Sequence, residues 1–157
     1  MHIVTSKRAM VLSMLSMTST LSLLSGCSTP PPAVKKAEQN NRPTPSAAKS
    51  DKEYRLDAAK HLYELNTRNI FSGKLPPLLY AVGVVRVEIA ANGDLKEIDW
   101  MRKPTHAPEV ISEIEKRIKN ASPFPAAKHL GDVTYTETWL WHKSGRFQLD
   151  TLTEGQT

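Results

Sequence analysis

Val82-Gly83-Val84-Val85-Arg86-Val87-Glu88-Ile89, followed closely by Asn92-Gly93-Asp94-Leu95, is the stretch on which the fold turns. Val85, Val87 and Ile89 lie on one side of an extended chain and Arg86 and Glu88 on the other, the alternation of a strand with one buried and one wet face. Asn92-Gly93 tolerates positive φ at both positions and suits a two-residue hairpin turn. A partner strand is expected over residues 95–101, with Ile98 and Trp100 on one face.

Downstream of this hairpin, Pro104 stops the second strand. Pro108 and Glu109 then suit a first helical turn. Val110, Ile111, Ile114 and Ile118 place a branched apolar stripe on a helix reaching about Ala121. Ser122-Pro123-Phe124-Pro125 breaks it. In residues 133–141, VTYTETWLW, Val133, Tyr135, Trp139 and Trp141 fall on one side, and Thr134, Thr136, Thr138 and Leu140 on the other. Ser144-Gly145 turns the chain toward a short strand over residues 146–149.

Upstream, Ser50 followed three residues later by Glu53 is a capping-box signature. Tyr54, Ala58, Leu62 and Leu65 recur at helical spacing, and the helix is expected to run to Ser72-Gly73. Leu75-Pro76-Pro77 then interrupts regular structure, because proline lacks a backbone donor. The order helix, strand, strand, helix, strand and short strand predicts an α+β domain. Its small antiparallel sheet of three to four strands would be packed on one face by two helices.

The expected organisation is a signal over residues 1–26, a Pro/Ser/Ala-rich tether over 27–50, the domain over 51–150 and a flexible tail over 151–157. Lys7 and Arg8 precede an apolar run to Leu24 that is broken by Ser and Thr and is too polar for a membrane span. Residues 28–50, STPPPAVKKAEQNNRPTPSAAKS, carry no periodic apolar set and suit a disordered linker. The net charge of +5 falls to +3 without the signal, where 19 basic residues face 16 acidic ones. With no basic cluster interleaved with aromatics, nucleic acid is not an expected partner.

Leu24-Ser25-Gly26-Cys27 resembles the bacterial lipobox, and Cys27 is the only cysteine. That resemblance implies lipid attachment at Cys27, cleavage before it, and a mature chain held to a membrane by several acyl chains. Ser28, where an inner-membrane retention signal commonly has Asp, favours a periplasm-facing position on the outer membrane. A structural disulfide has no partner here.

Gly83-Val84-Val85-Arg86-Val87-Glu88-Ile89, Asn92-Gly93-Asp94-Leu95, Ile98, the helix over 110–121 and Pro123-Phe124-Pro125 together resemble the C-terminal domain of the TonB and TolA family. These are periplasmic energy-transducing proteins, and the likeness covers roughly residues 78–142. It implies a domain that binds a cell-envelope protein, such as an outer-membrane transporter or pore, by pairing an extended segment with the edge of its last strand. Carried over by position, the candidate contact residues are Tyr135, Thr136, Thr138, Trp139 and Trp141, with core packing the competing role for the three aromatics. Two departures stand out. A cleaved signal and a lipid replace the family's membrane-spanning helix, and the sequence after Trp141 can fold back over the edge the family uses.

No enzyme is expected. His61, His106, His129 and His142 are scattered, with neither an HExxH pattern nor a G-x-S-x-G elbow. No catalytic residue, metal or cofactor beyond the lipid on Cys27 is therefore assigned. The alternative to a protein-binding adaptor is a structural envelope lipoprotein supporting outer-membrane assembly or cell-wall contact. The oligomeric state stays open.

Overall fold

A computed structural model describes residues 42–157. Helix α1 spans Asp51–Leu65 and α2 Pro108–Ala121; strands β1 to β4 span Ala81–Ile89, Leu95–Arg102, Val133–Trp141 and Phe147–Leu149. The strands form one sheet in the order β2-β1-β3-β4, every pair antiparallel. The architecture is α+β, with both helices contributing to a single core against the sheet. Cys27 and the expected signal lie outside the described residues.

Strand β1 sits between two neighbours, and its alternation is the one the sequence predicts: Val85, Val87 and Ile89 are buried, whereas Arg86 and Glu88 are half-buried on the opposite face. Val110, Ile114 and Ile118 of α2 meet the buried face together with Tyr54, Ala58 and Leu62 of α1. Burying each of the larger aliphatic side chains contributes about 1.5–3 kcal/mol. Trp139, Tyr135, Phe124 and Phe147 fill the remaining volume, all of them almost fully enclosed.

The Ser50 cap forms, and Glu53 reaches back one residue beyond the capping-box position. Ser50 Oγ accepts from Glu53 N at 3.4 Å, and the Glu53 carboxylate reaches back to Lys49 N at 2.7 Å. The helix ends earlier than expected, at Leu65 rather than near Gly73, because Asn66 turns its side chain onto Leu62 O at 2.8 Å and its N–H onto Tyr63 O. Leu65 is consequently 56% exposed rather than part of the packing stripe. Gly73, at φ 79°, lies in a later loop after the 3-10 turn Thr67–Asn69.

The β1–β2 connection is a three-residue loop, not a two-residue turn. Ala90 N donates to Asp94 O, Gly93 N donates to Ala90 O, and Gly93 takes φ 94°, the left-handed residue that such loops require. This loop is clamped to the Pro-rich segment after α2, since Phe124 N donates to Gly93 O at 2.7 Å and Ala127 N to Ala91 O at 3.1 Å.

Both ends of the described chain are fastened where the sequence suggests looseness. The expected tether runs to residue 50, yet Ser46 and Ala48 are buried, Ser46 N donates to Ala126 O, and Ser46 Oγ donates to Asp57 at 2.6 Å. Arg42 joins the β1–β2 loop through Asn92 O at 2.8 Å and Asp94 at 3.2 Å. At the other end, Leu75 N donates to Gly155 O and Thr157 N to Leu75 O, so the expected flexible tail lies along residues 73–77. Buried Gln148 completes this clasp: its amide nitrogen donates to Phe71 O and Gly73 O, and its oxygen accepts from Thr153 and Glu154. All four of its hydrogen-bonding positions are used.

Candidate functional site: the open part of the β3 edge

Strand β4 answers whether the last long strand is a free edge, and the answer differs along its length. Trp139, Leu140 and Trp141 pair with Leu149, Gln148 and Phe147. Among the described residues no strand lies beside 133–138 on that side. His142 N donates to Arg146 O at 2.9 Å, so the even-numbered residues of β3 aim their backbone groups at the β4 side. Thr134 and Thr136 therefore present the edge that β4 leaves uncovered, and Thr138, opposite Asp150, marks its end.

Here α1 stands close to the strand. Asp51, Lys52 and Arg55 from its first turns, with Asp150 from the 3-10 turn Asp150–Leu152, face the three threonines across a cleft of about 390 Å³. A larger cleft, of about 550 Å³, is lined by residues 42–47 and by Asp57, His61 and Glu64 of α1.

Of the five sequence-proposed contact residues, Tyr135, Trp139 and Trp141 are core, at 2%, 1% and 4% exposure. They are not available to a partner, which corrects their candidacy; Trp141 stacks on Phe147 and lies under the Arg117 guanidinium instead. Thr136 and Thr138 remain at the edge, joined by Thr134. The histidines stay apart: His61 donates to Ala121 O, His106 to Tyr80 O, and His142 bonds Ser144. Among the described residues no three His, Cys, Asp or Glu side chains converge on a metal-sized site.

Glu137 is the residue that sequence reading missed. It shares the inward face with Tyr135 and Trp139 and is only 1% exposed. Its carboxylate accepts from Arg55 Nη2 at 3.0 Å, Tyr135 Oη at 3.0 Å, Thr138 N at 2.9 Å and Thr151 N at 3.3 Å. A buried carboxylate is tolerated when its lone pairs are filled in this way. Burial alone lowers the Arg55 pKa, but the hydrogen bond and charge of Glu137, with Asp150 behind, outweigh it and raise the guanidinium further. Burial first, then the charge of Glu137, drives the Tyr135 phenol well above its ordinary value. One signal was present in the sequence: position 137 has the parity of the aromatic face.

The opposite edge, β2, is longer but blunted. Its register against β1 slips at Val84/Val85 and again at Glu88/Ile89, and Lys96, Glu97, Asp99 and Arg102 stand exposed along it. Bulges and charged side chains are the devices that deter added strands. Residues 133–138 of β3 show an unbroken register against β1 and no charged side chain on the outer face.

No family model, curated protein or solved structure matches this chain.

Proposed function

We propose that this chain is a lipid-anchored periplasmic adaptor, facing the periplasm from the outer membrane, that captures an extended segment of a cell-envelope protein at the open part of β3. The observation that carries the reading is the contrast between the two sheet edges. The β2 edge is bulged and charged along its own strand, whereas Thr134 and Thr136 leave unpaired edge backbone beside a cleft of about 390 Å³. Main-chain pairing supplies affinity in this mode, and alternate side chains supply selectivity. The lipobox at Cys27 and the likeness to TonB and TolA domains support location and partner class. A cleaved signal with acyl chains offers no motor helix, so the proposed role is capture and positioning rather than energy transduction.

Photo-crosslinkers placed at Thr134 and Thr136 in living cells test this. The expected product is one defined envelope protein at both positions, lost in a folded Thr136→Pro variant, since proline removes an edge donor. The same product at undiminished yield in the proline variant refutes edge capture.

A further inference from the structure

Building on edge capture as the function, we propose that Glu137 is a positioning residue that sets the length and register of the captured segment. The geometry makes it a stop. Thr138 N–H is the third edge donor after Thr134 and Thr136, and Glu137 already occupies it at 2.9 Å. The same carboxylate holds Thr151 N, which fixes the Asp150–Leu152 turn across the end of the cleft. Arg55, bridging Glu137 and Asp150 at 3.0 and 3.4 Å, closes the corner from the α1 side. An inward-pointing charged side chain is a recognised means of ending strand addition. In this strand it ends it part-way along.

The open window comprises the N–H and C=O groups of Thr134 and Thr136, on the run of residues 133–137; the Thr138 carbonyl faces Asp150 in the register of β4. At about 3.3 Å per residue it spans about 13 Å, room for a paired segment of about five residues. The occupant is a bare extended segment of another protein rather than a second copy of this domain. Neighbouring strands lie about 4.8 Å apart, whereas packed helices need about 8–10 Å. A second β3 would bring its own α1 to the face where α1 already stands over the edge through Lys52 and Arg55.

Amide exchange followed residue by residue on the full chain tests the stop, with alternating Thr/Val peptides of about three, five and nine residues as probes. In the free protein Thr138 N–H should exchange at least about a hundredfold more slowly than Thr136 N–H. Peptides should protect Thr134 and Thr136, with affinity rising about tenfold from three to five residues and levelling off by nine. Glu137→Met, which removes every acceptor at similar volume, should free the Thr138 amide and let the longest peptide protect it. Should that variant not fold, Glu137→Gln, which keeps one carbonyl oxygen, should speed Thr138 exchange by a smaller factor. Affinity that still climbs about tenfold from five to nine residues in the unaltered chain overturns the stop and leaves edge capture standing. So does Thr138 exchange that is unchanged in a folded Glu137 variant. Backbone pairing tolerates many sequences, so failure of every peptide to protect Thr136 overturns the stop and edge capture together.

Discussion

Gly93 and Phe124 meet backbone to backbone, with no room for a side chain between them: a Cβ on Gly93 would lie 2.0 Å from Phe124 O. Phe124 N donates to Gly93 O at 2.7 Å, so the β1–β2 loop and the segment after α2 act as one piece. Gly93→Ala combines this collision with a left-handed φ of 94°. It should destabilise the domain by about 2–4 kcal/mol, read as a lower denaturant midpoint. Asn92→Ala, which leaves the backbone contacts in place, should cost much less.

Trp139→Ala separates stability from capture. The side chain is 1% exposed and packs against Phe147 with ring centres 4.7 Å apart. Its loss should cost about 3–5 kcal/mol in unfolding experiments. Below the unfolding transition, however, partner crosslinking through Thr136 should persist, because the indole does not face the cleft. A folded Trp139→Ala protein that loses its partner outright would make the aromatic face part of the contact.

The buried tyrosines make the domain sensitive to alkali. Burial, with a smaller contribution from Asp57, pushes the Tyr54 phenol up to about 12, and burial raises Tyr63 and Tyr135 as well. A phenol whose folded pKa lies above its unfolded value of about 10 favours the folded state fully below pH 10, and that contribution is lost as pH rises toward the folded pKa. Denaturant midpoints should therefore fall steeply between about pH 10 and 12. Tyr54→Phe forfeits the hydrogen bond to Pro125 O at 2.9 Å and so lowers stability at neutral pH, but it should flatten the alkaline loss.

Membrane fractionation after Cys27→Ala tests the anchor. The substituted protein should leave the membrane fraction and migrate without the mobility shift of a lipidated chain. A variant that stays membrane-bound refutes lipid attachment at Cys27.

Alternation and helical spacing are local properties, and the elements that depend on them were legible in the sequence. Val85, Val87 and Ile89 place β1, the Val110, Ile114 and Ile118 stripe places α2, and Val133 through Trp141 places β3 at its observed bounds. The end of α1 was not, because Asn66 and Gly73 are both plausible stops and only the first finds its partners. The fastening of residues 42–48 and of the C-terminal clasp depends on single long-range bonds, such as Ser46 to Asp57 and Gln148 to Phe71. No periodicity announces such bonds. At the candidate site the edge strand itself was legible, but the side chains that matter there were not. Aromatic residues on a strand suit a contact surface and a core equally well until the opposite layer is known. Glu137 stands inside because Arg55 and the Thr151 amide arrive from other parts of the chain to join Tyr135 and the Thr138 amide of its own strand.

Arg42 has a meaning for distance that its surface position conceals. It grips the β1–β2 loop, so the domain holds its chain at least as early as Arg42, nine residues before Asp51. From Cys27 to Arg42 the backbone can stretch at most about 50 Å, against about 80 Å to the start of α1. If Cys27 carries the proposed lipid, this length sets a ceiling on how far the domain can travel from the bilayer. The proposed partners are then those that bring an extended segment within that distance of the membrane. On that proposal, the number of residues between Cys27 and Arg42 becomes a determinant of which proteins the domain meets.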